Sequence, residues 1–421
     1  VGSEMCIRDR MYSEVISMQK EFIIKTSRSV TLNVTGGKID SFREKEETTG
    51  TVRVYENGCI GIAGCLGTPD EQKLTEKAME ALTLGIPYPC KLDGALEQES
   101  LHEEEIIHVS DFIPTMQSFL DRLGEVCPKF AFSNKISLNY QKTEYRNSLG
   151  RHLTSAERNV SISLLAQNRG SGNLFDTVFS YKGNHFDADE LLSRFKKEYD
   201  AFYIPADIAS GRYPVVMDTA DLFGTFLQHF VAEMYVSGAS LLSGKLGQKA
   251  FSDKLSFKND MNPATNSGVC FFDDEGCVAP DLRPTLIDKG TLTGVLTTKK
   301  SSAQFNLPDL GTAVAGYDGV PGLGFNRFYI ESTAPALSAL VPGKAVYVVV
   351  TSGGDVTPGG HFAAPVQMAY LMENGRLIGR LPDLNISGNF YELLGDDYIG
   401  AVTGAPGPDS MLCAVTMEVQ K

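Results

Sequence analysis

Apolar and polar positions alternate through the first part of the chain. Thr51-Val52-Arg53-Val54-Tyr55 runs up to Asn57-Gly58, and Cys59-Ile60-Gly61-Ile62-Ala63 continues beyond it. A period of two on both sides of Asn-Gly predicts a two-residue hairpin, because both turn positions then take left-handed backbone. Gly36-Gly37 punctuates an earlier turn, so 22–66 reads as antiparallel strands. The period then changes. Leu74, Ala78, Ala81 and Leu82 recur at helical spacing after Pro69, and Pro87 and Pro89 close the segment. Stretch 91–110 is acidic and weakly patterned and reads as a linker. A helix follows at roughly 114–126.

Strands are predicted at 135–146 and 153–168, around the turn Asn147-Ser148-Leu149-Gly150. Leu191, Leu192, Phe195 and Tyr199 form a helical stripe over 187–200. Tyr203 to Gly211, with Pro205, marks a boundary. Tyr213 to Asp218 then reads as a short buried strand, and Asp218 as the N-cap of the next helix. That helix, 218–236, carries Leu222, Phe223, Phe226, Leu227, Phe230, Val231 and Met234 on one stripe. Beyond it the chain is strand- and turn-rich, with strands at 345–351, 368–372 and 411–419. The pattern divides the chain into 11–100, 101–205 and 206–421. Residues 1–10 lack any periodic pattern, precede a start at Met11 (or Met18), and read as a non-native leader.

At 421 residues with 42% hydrophobic content, the chain is too long for one ordinary core and rich enough for several. No apolar run of about 18 residues occurs, so no transmembrane helix is expected, and no secretory leader is read. A formal net charge of -14 argues against a nucleic-acid surface, which needs a basic footprint, and points to a cytoplasmic protein. Eight cysteines include no Cys-x-x-Cys pair, which leaves zinc knuckles and redox dithiols without their spacing. Cys270 and Cys277 flank a turn that would let them approach.

Candidate chemistry is sparse. His229 and Glu233 lie four apart on the 218–236 helix. A zinc peptidase helix needs two imidazoles on one face and a carboxylate to activate water. Here a third ligand would have to come from His185 or His361, and the bland alternative is an intrahelical His–Glu pair. Gly353-Gly354 and Gly360-His361 follow the strongest predicted strand, where glycines suit close approach of a peptide backbone or an ordinary turn. Asp273-Asp274-Glu275-Gly276 lacks calcium-loop spacing and reads as an acidic turn. Ser243-Gly244-Lys245 lacks the rest of a phosphate loop, and no serine sits in a nucleophile elbow.

Taken in order, several segments resemble the TldD/PmbA family from about residue 22 to 421. They are Gly50 to Ala63 with Arg53-Val54, the Asn147-Ser148-x-Gly150 signature, and Ser243 to Gly247. Phe272 to Gly276 running to Ile287-Asp288-Lys289-Gly290, Gly360-His361-Phe362 before Tyr370 to Gly375, and Ile386 to Asn389 complete the set. The resemblance implies an α+β fold. An N-terminal α/β region with small antiparallel sheets would join a large, mainly antiparallel β C-terminal domain at 206–421. It also implies a dimer between a TldD-type and a PmbA/TldE-type chain, proteolysis of unfolded or leader peptides, and older links to DNA gyrase modulation. TldD-type members carry His-Glu-x-x-x-His where this chain has Gln228-His229-Phe230-Val231-Ala232-Glu233, and a Gly-x-Cys-Gly context unlike that of Cys413. No metal ligand carries over. The expectation is a non-catalytic TldE/PmbA-type subunit without its own cofactor, with zinc in a TldD-type partner. The alternatives are a stand-alone zinc metallopeptidase using His229 and Glu233, and a peptide-binding carrier.

Overall fold

A computed structural model of the chain describes residues 18–325, 327–404 and 411–421. The expected leader at 1–10 and Cys6 lie outside them. Three long strands open the fold: β1 (Gln19–Thr35), β2 (Lys38–Glu56) and β3 (Cys59–Leu66). Asn57 and Gly58 both take left-handed backbone, with φ of 52° and 74°, as the hairpin requires. The helix α1 (Glu71–Ala81) is capped by Asp70, whose side chain accepts from the Lys73 N–H.

The sheet does not stop there. Order β4-β3-β2-β1-β6-β7-β5 adds β4 (Ile86–Pro87), β5 (Leu96–His102), β6 (Phe130–Asn147) and β7 (Arg151–Asn168). β8 (Thr177–Gly183) joins β7, making one eight-stranded sheet in place of the small sheets expected. The expected boundary between 100 and 101 falls inside β5, which pairs in parallel with β7. β5 escaped the pattern because it is an edge strand that only half-buries alternate positions. One sheet face is apolar. Ile136, Leu138, Val160, Ile162, Leu164 and Phe179 pack there against α2 (Val109–Val126) and α3 (Ala188–Phe202).

The second half closes on itself. β9 (Gly211–Asp218) pairs with β10 (Lys344–Thr351) in parallel and with the last strand, β13 (Met411–Gln420), antiparallel. β13 pairs with β12 (Leu384–Asn389), β12 with β11 (His361–Glu373), and β11 returns to β10. β11 serves both halves. Phe362, Ala364 and Val366 join the C-terminal core, whereas Met368 and Tyr370 pack into the core under α3. The register shifts opposite Val348 to Thr351 turn the strand's face between those two sets. The Tyr370 hydroxyl then donates to the Glu198 carbonyl of α3 at 3.0 Å.

The helix expected over 218–236 is interrupted. Asp218 caps α4 (Thr219–Phe226) as expected, but a 3₁₀ turn at Leu227–Phe230 follows. Val231 is extended (φ -74°, ψ 129°), and only then does α5 (Ala232–Val236) begin. Leu296 causes the break. Its N–H donates to the Phe230 carbonyl at 2.7 Å, and its carbonyl accepts from the Ala232 N–H at 3.1 Å. Those backbone groups are satisfied by a passing strand instead of a helical ladder.

Candidate functional site

Three of the segments that carry the family resemblance, around Arg53, Asn147 and Asp273 to Gly276, meet where the two halves join. Glu21 is fully buried and accepts from Arg53 at 2.7 Å, Tyr55 at 2.8 Å and Tyr145 at 2.9 Å. The Arg53 guanidinium also donates to the Asp274 carbonyl at 2.6 Å, across to the C-terminal half. Burial opposes the charge on Arg53, but Glu21 holds it above the ordinary arginine range. Asp273 organises the acidic turn through its side chain, which accepts from the Glu275, Cys277 and Ala313 N–H groups, each at 2.9 Å. Lys299 opens α6 (Lys299–Phe305) and donates to Asp93 at 2.8 Å and to the Glu275 carbonyl at 2.9 Å. The Asn147 amide donates to the Asp93 carbonyl at 2.8 Å, and Arg151 donates to the Gly276 carbonyl at 2.7 Å. These residues are a joint: their buried polar atoms are turned on each other.

A second feature opens onto solvent. Three cavities run along the seam between β8–α3 and β9–α4. The first, about 410 Å³, is lined by Ser180, Lys182, Arg194, Asp218 and Arg327, among others. It shares Ser180, Arg194 and Asp218 with a second, about 310 Å³, which adds Glu198, Asp221 and Tyr347. Ala220 and Asp221 continue into a third, about 530 Å³, bounded by Gln228 and by Gly353-Gly354-Asp355. Shared walls make this one groove. Burial pushes the Glu198 carboxyl up to about 7, with Arg194 opposing. Burial, with Asp218 adding, pushes Asp221 up to about 6. Asp218 and Asp221 are open to the groove, so water screens part of these shifts.

His229 is only 6% exposed, and its ring packs against Phe390, 6.1 Å between centroids. Its Nδ1 accepts from the Leu241 N–H at 3.3 Å, and its Nε2 is buried without a partner among the described residues. Glu233 lies beyond the extended Val231 and is exposed. The expected His–Glu face on one helix therefore does not form. Gly353 and Gly354 line the groove, whereas Gly360 (φ +81°) lies under Phe390 and His361 is exposed at the start of β11. His185 lends its carbonyl to the Tyr181 hydroxyl. Cys413 is buried in β13, its Sγ 3.7 Å from the Met217 carbonyl. The seven described cysteines, Cys270 and Cys277 included, are free. Among the described residues no three His, Cys, Asp or Glu side chains are placed to hold a metal ion. The donors at the equivalent of the zinc helix do not fit one: an amide, a core imidazole and a solvent carboxylate.

Arg194, Glu198, Asp221 and Tyr347 were not singled out from the sequence. Arg194 and Glu198 lie at the edge of the apolar stripe of α3, three and seven residues after Leu191, and only the tertiary seam brings them to Asp221.

Glu157 supplies a pH test of the N-terminal sheet. It is buried on β7, and its Oε1 accepts no hydrogen bond among the described residues, with His102 Nε2 3.9 Å away. Burial pushes its carboxyl up to about 8. The folded chain therefore holds this proton more tightly than the unfolded chain does. The stability this gives is fully present below the ordinary carboxyl range and is lost as pH rises through about 8. Glu157→Gln should consequently gain on the wild type between about pH 5 and about pH 8.5, followed by thermal melts at each pH. A constant difference would mean the carboxyl is not buried as described.

Residues 210–402 match the family model described as the PmbA/TldA metallopeptidase C-terminal domain. A "Metalloprotease" of Archaeoglobus fulgidus is 24% identical over 399 residues, covering 88% of this chain and 89% of that protein. A "Zinc metalloprotease TldD homolog" of Saccharolobus solfataricus is 24% identical over 265 residues, covering 60% of this chain and 59% of that protein. The crystal structure of TldE from Thermococcus kodakarensis superposes with a TM-score of 0.78 at 18% identity, covering 96% of both chains. Among the described residues, no helix is long and apolar enough to cross a membrane. Residues 210–402 thus carry the C-terminal domain of that family model, and the chain is similar over most of its length to an archaeal metalloprotease and, in fold, to TldE.

Proposed function

We propose that this chain is the non-catalytic, TldE/PmbA-type subunit of a cytoplasmic two-chain peptidase, pairing with a TldD-type chain that carries the zinc. The observation that carries the reading is the fate of the motif helix. Where TldD-type members place His-Glu-x-x-x-His, this chain has Gln228 to Glu233, broken at Val231, with His229 in the core. Such a segment positions no water for attack, because catalytic zinc takes three protein ligands. The groove suits a supporting role: holding unfolded or leader peptide beside the partner's metal. β8 lies at the sheet's edge there, paired with β7, and its Ser180 carbonyl accepts from Arg194. An extended segment laid along such an edge takes main-chain hydrogen bonds irrespective of its sequence.

Peptide hydrolysis tests this directly. The purified chain alone should leave an unfolded peptide intact, and adding a TldD-type chain should produce cleavage. His229→Gln should leave that reconstituted activity unchanged. Cleavage by the chain alone, lost in His229→Gln, would favour a stand-alone metallopeptidase. Peptide binding without cleavage, even with the partner, would favour a carrier.

A further inference from the structure

A hollow of about 550 Å³ opens between the end of α3 and the strand Arg376–Arg380. It shares no wall residue with the groove. Phe202, Tyr203, Pro205, Leu381 and Pro382 give it an apolar wall, and the neighbouring Ile204 and Ile378 are 50% and 39% exposed. One cation stands in that wall, Arg380. Its backbone is fixed on the loop after α3. The Arg380 N–H donates to the Ile204 carbonyl at 2.7 Å, and the Arg380 carbonyl accepts from the Ala206 N–H at 2.8 Å. The guanidinium lies over the Phe202 ring, 4.5 Å from its centroid. Stacking occupies the flat face of a guanidinium and leaves the N–H fork at its edge open. Among the described residues that fork makes no hydrogen bond and no ion pair. The nearby carboxylates do not answer it. Asp207 pairs with Lys421. Asp176, in the adjoining hollow, accepts from the Asn168 N–H at 2.7 Å and the Ser171 hydroxyl at 3.0 Å. Asp383 lines that adjoining hollow without pairing with Arg380. Asn168 also lines the first hollow. Its Oδ1 accepts from the Tyr203 hydroxyl at 2.8 Å, and its amide nitrogen has no partner among the described residues.

An unpaired guanidinium and an amide donor set into an apolar wall suit a carboxylate joined directly to an apolar group. The last residue of a peptide has that arrangement, because its α-carboxylate and its side chain share one Cα. Neighbouring residues inside an extended peptide do not, because adjacent side chains point to opposite faces. We propose that this hollow binds the free C-terminus of an unfolded peptide that ends in an apolar residue. The carboxylate lies on Arg380 and Asn168, and the side chain against Tyr203, Pro205 and Pro382. The planar fork of an arginine matches a carboxylate bidentately, and such charge-assisted bonds are among the stronger ones in proteins. This site takes the end of a peptide, where the groove takes an extended backbone, so the two readings stand or fall separately.

Fluorescence anisotropy of the full chain with N-terminally labelled hexapeptides provides the test. Four probes share a Gly/Ser body and differ at the end: Leu with a free carboxylate, Leu amide, Ser with a free carboxylate, and Glu-Leu amide. The free-acid Leu peptide should bind about tenfold more tightly than its amide, the size of one charge-assisted contact. The formal net charge of -14 repels carboxylates in general, so the overall field does not produce that preference. The Ser peptide should bind about tenfold more weakly than the Leu acid for want of apolar burial. The Glu-Leu amide should do no better than the Leu amide. Arg380→Met keeps an apolar stem over Phe202 and should erase the preference for the acid, with a melting curve to verify that the variant is folded. Equal binding of Leu acid and Leu amide by the unaltered chain would overturn the proposal without any variant. So would a preference for the acid that survives in folded Arg380→Met. Tight binding of the Glu-Leu amide would overturn the C-terminal assignment in favour of an acidic side chain. No binding by any of the four would overturn the site and leave the groove to the hydrolysis assay.

Discussion

Replacing Arg53 by methionine is expected to destabilise the chain by about 3–5 kcal/mol, the usual consequence of removing one partner from a buried ion pair. Glu21 would be left in a site from which water is excluded, with only the Tyr55 and Tyr145 hydroxyls to bond it. The bond from Arg53 to the Asp274 carbonyl would go too, loosening the contact between the halves. The pair itself is not a large net source of stability, since Arg53 Nε stays unpartnered and both ions were stripped of water. The double variant Arg53→Met with Glu21→Gln should therefore recover a substantial part of the loss. Urea titrations of the two single variants and the double variant measure this. If Arg53→Met alone cost less than about 1 kcal/mol, the joint would not be the buried network described here.

Gly276→Ala is expected to be almost as damaging, at about 3 kcal/mol or more, because two penalties coincide. The backbone is left-handed there (φ +69°), and an added Cβ would lie 2.3 Å from the Tyr145 ring. That ring cannot withdraw, because its hydroxyl is bonded to Glu21 at 2.9 Å within the fully buried core. Gly58→Ala is the control. Its backbone is equally left-handed (φ +74°), but nothing lies within 4 Å of the added atom. It should cost only about 1 kcal/mol, the left-handed penalty alone. Chemical denaturation of both variants separates the close approach from the backbone strain. Equal losses would place the steric contact elsewhere.

Much of this architecture was readable because it is local. Asn57-Gly58 specifies its turn within two residues, and the stripes of α1 and α3 announce which face each helix buries. The failures share a cause of the opposite kind. Val231 belongs to a continuous apolar stripe, and nothing near it signals that Leu296 takes the backbone hydrogen bonds on either side. β5 is polar because it is an edge strand, so the 91–110 stretch resembles a solvated linker while completing the sheet. The acidic turn at Asp273 to Gly276 was legible as a turn, but its burial depends on Arg53 and Tyr88 from the far half of the chain and on Lys299. The groove was the least legible feature. Its charges come from α3, the start of α4 and the loop after β10, and each element alone presents an ordinary polar surface.

The central claim is that this chain does not carry the catalytic metal. Elemental mass spectrometry of the chain purified without a partner tests it most directly. A zinc content far below one atom per chain is expected, because Gln228, the core-facing His229 and the exposed Glu233 form no ligand set. About one tightly held zinc per chain, the content of a mononuclear catalytic site, would contradict the account.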